Sequence, residues 1–190
     1  MDDIIENLRS RNWRVRDRAA QLLLGAAREG AVEALIEALK DPSPSMRKEA
    51  ARVLGEIKDE SATKPLIALL NDSVPEVRVA AVSALTLLRA GRAVIALISS
   101  LKDESADVRT QAAYGLGQIN DKHAVEALTV RLASDSEASV RAAAAWSLGK
   151  IADVRCVKAL DAALNDEKAE VREAATEALK RIEETKGAES

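Results

Sequence analysis

The sequence repeats one phrase at a nearly constant interval. The phrase reads Val-Arg-x-x-Ala-Ala-x-x-Leu-Gly-x-Ile, and its most complete copy spans residues 108–119. Its arginine recurs six times, at Arg16, Arg47, Arg78, Arg109, Arg141 and Arg172. By subtraction, the steps between these arginines are 31, 31, 31, 32 and 31 residues. A fixed period of this length is typical of stacked-repeat proteins, so it constrains the fold more strongly than any other feature of the chain.

Each period contains the pattern of two helices. From Val15 to Ala26, apolar residues recur at i, i+4, i+7, i+8 and i+11, the spacing of a helix buried along one stripe. Residues 31–40 predict a second helix, which a Pro-Ser-Pro segment then ends. The same two-helix pattern recurs at 45–57 and 61–71, 75–88 and 92–102, 106–119 and 122–133, and 138–151 and 154–165.

We therefore predict an all-α fold, a right-handed α-solenoid of stacked two-helix repeats, in a single domain of residues 1–190. Residues 1–10 are predicted as an N-terminal capping helix, and residues 11–168 as five repeats of about 31 residues. Residues 169–185 form a C-terminal capping helix, and residues 186–190 a frayed tail. The single 32-residue step is assigned to an extra residue near Ala133 and Ser134, in a turn, where an insertion costs little.

Equivalent positions of the repeats predict the core. Alanine stands three residues after each repeat arginine and leucine seven residues after it, which suits helices that cross closely. Glycine follows three of these leucines, at Gly55, Gly117 and Gly149, whereas Thr86 takes that place in the third repeat. We expect that a side chain at these glycines would crowd the second helix.

Aspartates occupy two further recurring positions. One set lies six residues before a repeat arginine and comprises Asp41, Asp72, Asp103, Asp135 and Asp166. Because the interval recurs in these units, we interpret it as structural, with aspartate and arginine satisfying polar groups between neighbouring repeats. The other set, Asp59, Asp121 and Asp153, precedes second helices and is predicted to cap them.

The phrase Asp-x-x-x-x-Val-Arg-x-x-Ala-Ala-x-x-Leu-Gly-x-Ile, followed by an Ala-Val-x-x-Leu-Ile helix, resembles the HEAT-like repeats of the phycobilin-lyase type. The resemblance spans about residues 10–185. It implies the fold but not the function, because proteins built this way include bilin lyases, metal-dependent hydroxylases and binding scaffolds. The chain is also similar to designed libraries of this repeat.

Composition excludes several classes of partner. The net charge is only -3, so we expect no general affinity for nucleic acid or for an anionic membrane. The first residues lack the pattern of a secretory signal, and no 18-residue apolar run occurs, so no membrane segment is predicted. A single cysteine excludes an internal disulfide and favours a reducing compartment, so we predict a cytoplasmic protein.

Few residues could carry catalysis, and we predict no catalytic, metal-binding or cofactor-binding residue. The chain has one histidine, His123, and one cysteine, Cys156. The hydroxylases similar to this fold hold two irons with several His-Glu pairs, which this sequence lacks. Cys156 falls in a row of small second-helix residues and is predicted to serve packing.

The resemblance implies that the second helices line a concave side where partners bind. Carried onto this sequence, the predicted protein-binding residues are Arg92, Ile95, Ser99, His123, Glu126, Val130, Arg155 and Lys158. An apolar centre with a charged rim is typical of a protein or peptide site. Two alternatives stay open: small residues at exposed positions simply favour helix formation, and His123 is an ordinary solvated side chain.

Two aromatic residues suggest a secondary contact. Tyr114 and Trp146 each lie five residues after a repeat arginine, in a chain that is only 2% aromatic. Exposed aromatic side chains dominate interface energetics, so they predict a contact with a partner or a homodimer. The alternative is that they pack over neighbouring apolar side chains of the same molecule.

These features predict a non-enzymatic scaffold or adaptor that binds a protein or peptide on the concave second-helix face. Two alternatives remain. One is a bilin-lyase-like or chromophore-accessory protein, in which Arg92 and Arg155 would meet the propionates of an open-chain tetrapyrrole. The other is a designed repeat scaffold without native function.

Overall fold

The structure, a computed structural model, describes residues 2–10, 12–25 and 28–188. Every regular element in these ranges is helical, as predicted. The α-helices are α1 (Asp2–Glu6), α2 (Trp13–Gly25), α3 (Arg28–Ala38), α4 (Pro44–Ile57), α5 (Thr63–Leu69), α6 (Pro75–Leu87), α7 (Val94–Ser100), α8 (Ala106–Ile119), α9 (Val125–Ser134), α10 (Ala138–Ile151), α11 (Val157–Ala163) and α12 (Ala169–Ala188).

Short 3₁₀ helices precede four of the second helices. They span Glu60–Ala62, Gly91–Ala93, Lys122–Ala124 and Val154–Cys156, and a further one, Asn7–Arg9, follows α1. The predicted caps are confirmed: a carboxylate oxygen of Asp59, Asp121 or Asp153 accepts a hydrogen bond from the backbone N–H two residues later, each at 2.9 Å. Each cap satisfies an amide that the first turn would leave without a partner.

The chain divides into two compact units, Met1–Ala93 and Val94–Ser190. In the first unit α4 packs along α6, and α3 and α5 pack against α4 and α6 respectively. In the second unit α8, α10 and α12 pack side by side, whereas α7, α9 and α11 each pack against the first helix of the following repeat. The assignment of residues 1–190 to a single domain stays a prediction.

The core rows are confirmed. The alanines three residues after the repeat arginines are buried, and so are the first five of the leucines seven residues after them. The sixth leucine, Leu179, is only partly buried. Leu179 lies on α12, and no second helix follows α12 among the described residues.

The neighbours of the recurring glycines differ from the prediction. A Cβ added at Gly117 would lie 2.8 Å from the Cα of Ser147, and one added at Gly149 would lie 2.5 Å from the Cα of Ala178. Ser147 and Ala178 lie on the first helix of the next repeat, so the expected crowding of a second helix was wrong. At Gly55, Gly117 and Gly149 the first helix of the next repeat approaches so closely that a Cβ would collide with its backbone.

The last helix is longer than predicted. Helix α12 continues to Ala188, so residues 186–188 of the predicted frayed tail are helical, and residues 189–190 lie outside the described part of the chain. The segment Lys186-Gly-Ala contains no proline, and a single glycine is tolerated in a helix.

Candidate functional site

Seven of the predicted binding residues lie in the second unit, and we call them the second-helix surface. They are Ile95 and Ser99 on α7, His123 before α9, Glu126 and Val130 on α9, Arg155 before α11, and Lys158 on α11. All seven are exposed. Arg92 is exposed too, but it belongs to the first unit.

The pattern of each helix explains why these side chains face solvent. Helices α7 and α9 bury a valine and a leucine of equivalent position, Val94 and Leu97 in one and Val125 and Leu128 in the other. The positions between these residues therefore point away from the core. Helix α9 packs beside α11, and α7 contacts the 3₁₀ helix that precedes α9.

The centre of the surface is apolar. Ile95 is 70% exposed and Val130 is 49% exposed, although both are large aliphatic residues. Full burial of such a side chain contributes about 1.5–3 kcal/mol, and each of these two residues forgoes part of that contribution. The sequence pattern alone identified both positions.

Arg155, a charged residue at the rim of the surface, is held by hydrogen bonds that were not predicted from the sequence. The guanidinium of Arg155 donates from Nε and Nη2 to the carboxylate of Asp153, at 2.9 and 2.8 Å. Nη2 also donates to the carbonyl oxygen of Lys122, at 3.2 Å, which links the two repeats. The hydrogen bonds from Arg155 lower the pKa of Asp153 to about 2. Arg155 is therefore engaged within the protein.

His123 has a similar but looser arrangement. Its Nδ1 lies 2.7 Å from a carboxylate oxygen of Asp121, and its side chain is 81% exposed. Hydrogen bonds from the backbone and the ring of His123 lower the pKa of Asp121. Capping aspartates thus orient two of the rim residues, which follows from the spacing Asp-x-His and Asp-x-Arg in the sequence.

The predicted aromatic pair is in contact within the second unit. The ring centroids of Tyr114 and Trp146 lie 5.3 Å apart, with an interplanar angle of 67°, in an edge-to-face arrangement. The Nζ of Lys150 lies 5.9 Å from the Trp146 ring centroid. Tyr114 is 37% exposed, so the pair keeps an accessible edge. Sequence analysis missed Lys150, which its i+4 spacing from Trp146 could have indicated.

No group of three or more histidine, cysteine, aspartate or glutamate side chains within the described residues is arranged to hold a metal ion. Cys156 is buried, as predicted, and its Sγ donates to the carbonyl oxygen of Asp153 at 2.9 Å. Burial raises the pKa of the Cys156 thiol to about 11, which disfavours the reactive thiolate.

No helix in the described part of the chain combines the length and the apolar content that a membrane span requires.

Comparisons with known proteins agree with this architecture. A family model for HEAT repeats matches residues 1–86, 63–138 and 125–189. No curated protein sequence matches the chain.

Three structures illustrate the similarity of fold. The Escherichia coli protein YibA has a TM-score of 0.77 at 23% identity, and the match covers 97% of this chain and 73% of YibA. A designed armadillo repeat protein in complex with the peptide (KR)4 has a TM-score of 0.67 at 22% identity, covering 95% and 98% of the two chains. An engineered protein has a TM-score of 0.62 at 24% identity, covering 96% of each chain. The α-solenoid class predicted from the sequence is thereby confirmed.

Proposed function

Since the chain belongs to the HEAT-repeat family, we propose that it is a non-enzymatic scaffold that binds a protein or peptide segment on the second-helix surface. The observation that carries the proposal is the exposure of Ile95 and Val130 on helices whose other large aliphatic residues are mostly buried. Contiguous exposed apolar side chains are typical of interaction sites, and we propose that Ile95 and Val130 contribute to one such patch.

The charged residues around this centre favour a ligand with mixed character. Glu126 and Lys158 occupy equivalent positions on neighbouring helices and carry opposite charges. Asp153 holds Arg155 in one orientation, which lowers the entropic cost of using its guanidinium in a contact. We expect a segment that places apolar side chains on Ile95 and Val130 and charged ones at the rim.

One structural neighbour supports a peptide as the ligand class. The designed armadillo repeat protein of similar fold is in complex with the peptide (KR)4, a peptide of alternating lysine and arginine. We propose a peptide-binding role for this chain by analogy with that class of protein. The apolar centre of the second-helix surface predicts a less basic ligand than that peptide.

Selection of binding peptides from a random library against the 190-residue chain tests the proposal. The double variant Ile95→Glu/Val130→Glu is expected to weaken binding of the selected peptides by at least about tenfold, because two charges would face apolar side chains. Leu164→Glu is the matched control, since Leu164 is also an exposed apolar residue of the second unit but lies outside the surface. Peptides that bind both variants as well as the wild type would exclude this surface.

The aromatic pair is proposed as a secondary contact with the same partner or with a second copy. Its support is the accessible edge of Tyr114. A cytoplasmic location and the absence of nucleic-acid and membrane partners remain predictions from the sequence.

A further inference from the structure

Helices α1 and α12 match different halves of the repeat in their sequence pattern. Ile4 on α1 lies 31 residues before Leu35, one period away. Leu35 belongs to a row of second-helix leucines, nineteen residues after each repeat arginine, that are fully buried: Leu35, Leu66, Leu97, Leu128 and Leu160. Helix α1 is thus a second helix by its phase, whereas α12 is a first helix. Ile4 and Leu179 are both partly exposed, although their rows are otherwise buried.

Helix α2, which follows α1, exposes a leucine whose equivalents in the other repeats are buried. Leu22 is 49% exposed, whereas the equivalent residues of the other repeats, at positions 53, 84, 115, 147 and 178, are buried. Arg18 lies about one turn before Leu22 and Arg14 about two turns before it, on the same helix face. Together with Val15, Asp17 and Gln21 they line a groove of about 600 Å³.

The register between successive first helices is defined by contacts inside the second unit. The hydroxyl of Thr110, one residue after its repeat arginine, lies 3.4 Å from that of Ser139, two residues before the next arginine. Gly149, eight residues after its arginine, meets Ala178, six residues after the following one. Tyr114 and Trp146 meet between these two contacts.

We propose that α12 of a second copy docks against α2 in this same register, so that the two half repeats form one complete repeat. In that arrangement Glu173 takes the place of Thr110 and faces Arg14, which takes the place of Ser139. Lys180 takes the place of Gly149 and faces Leu22, whose side chain the aliphatic stem of the lysine would cover. Ile4 and Leu179 become neighbours in the completed core.

Charge complementarity favours a second copy as the occupant. Glu177 takes the place of Tyr114, which brings its carboxylate beside Arg18, one helical turn before Gln21. Glu173 and Glu177 are both exposed, as is Arg18. Glu177 also accepts a hydrogen bond from Arg181 of its own helix, at 3.1 Å, and Asp17 lies between the two arginines of α2. The two arginines still outnumber Asp17 opposite the two glutamates, which gives the docking its orientation.

We expect the proposed joint, meaning the packing of α12 of one copy on α2 of another, to be weaker than the joints between successive first helices within the chain. Arg172 donates from Nη1 to the carbonyl oxygens of Asp166 and Glu167, but no described carboxylate pairs with its other edge. The aspartate that would bind this edge in the next repeat is replaced by Ser10, six residues before Arg16. Thr176 and Lys180 also replace the alanine and glycine that allow the closest approach. We expect reversible, end-to-end association into open chains, since the two contacting surfaces differ.

Paired charge reversals test the joint. At low salt the wild-type chain is expected to show an average mass in light scattering that rises with concentration beyond that of a dimer. Arg18→Glu alone and Glu177→Arg alone should both remain monomeric, because each places like charges in contact. An equimolar mixture of the two variants should regain the wild-type mass, since every joint between unlike variants again pairs opposite charges.

Each control separates this joint from other modes of association. Lys122→Glu, a charge reversal at an exposed position of the second unit, should leave the association unchanged. Trp146→Ala should also leave it unchanged, whereas a homodimer through the aromatic pair would dissociate. A wild-type chain that stays monomeric at all concentrations, or a mixture of variants that fails to associate, would overturn the proposal.

A gain-of-function variant provides an independent test. Ser10→Asp supplies the missing aspartate for Arg172 of the second copy and should strengthen association by about tenfold, in line with the charged hydrogen bonds at the internal joints. The gain should disappear when Arg172→Gln is added. A Ser10→Asp chain that associates no more strongly than the wild type would show that Arg172 does not reach the joint.

Discussion

Arg109 donates from Nε and Nη2 to the two carboxylate oxygens of Asp135, each at 2.9 Å. Asp135 precedes the next repeat, and Nη1 of the same arginine donates to the carbonyl oxygen of Asp103 in its own repeat. One guanidinium therefore connects two repeats. The same geometry joins Arg47 to Asp72 and Arg141 to Asp166.

Replacement of Asp135 by asparagine should destabilise the second unit strongly. Both partners are largely buried, so the substitution leaves the Arg109 guanidinium without its counter-charge. We expect the free energy of unfolding to fall by about 3 kcal/mol in urea denaturation. Glu184→Gln breaks the exposed pair with Lys180 and should cost less than about 1 kcal/mol. Equal effects of the two variants would contradict the structural role of the Arg109–Asp135 pair.

Stability should fall in acid. Hydrogen bonds from Arg155 lower the pKa of Asp153 from 3.8 to about 2, and the pKa values of Asp72, Asp135 and Asp166 are also lowered. The folded state binds protons at these carboxylates less tightly than the unfolded state does. The carboxylates therefore contribute fully to the free energy of unfolding well above pH 3.8, and Asp153 loses its contribution as the pH falls through 3.8 towards about 2. The urea midpoint should therefore decrease across this window.

The variant Asp153→Asn offers the control for the acid effect. It lacks one of the carboxylates with a lowered pKa, so its urea midpoint should change less between neutral pH and pH values near 2 than that of the wild type. Identical pH profiles would indicate that Asp153 titrates alike in the folded and unfolded states.

Gly149→Ala should disrupt the contact between α10 and α12. A Cβ at this position would lie 2.5 Å from the Cα of Ala178, so the two helix backbones would have to move apart. Overpacking of this kind costs about 1–3 kcal/mol, which thermal unfolding would record as a lower Tm. Gly187→Ala on α12 is the control, because a Cβ there meets no atom within 4 Å. A Tm unchanged by Gly149→Ala would mean that α10 and α12 are less closely packed.

The contact between Tyr114 and Trp146 can be measured by a double-mutant cycle. If the edge-to-face pair stabilises the fold, Tyr114→Ala and Trp146→Ala should show a coupling of about 0.5–1.5 kcal/mol in urea unfolding. A coupling near zero would leave the aromatic pair without a stabilising role inside the molecule. It would then favour the alternative in which a partner uses both rings.

The candidate binding site was predictable in part. Its residues follow from the helical period, because positions between the buried valine and leucine of a second helix must face solvent. The engagement of Arg155 by Asp153 is local and could have been anticipated from the cap spacing. Its bond to the Lys122 carbonyl oxygen could not, since it joins residues 33 positions apart whose separation depends on how the repeats pack.

The helices, their caps and the core residues could be read from the chain alone, because they depend on hydrophobic spacing and on hydrogen bonds over a few residues. Two features depended on tertiary packing: Arg47, Arg109 and Arg141 each bind the aspartate of the following repeat, and the recurring glycines accommodate the neighbouring first helix. These contacts depend on the distance between helices that are far apart along the chain. That distance results from the close packing of all the side chains between them, which no local pattern specifies.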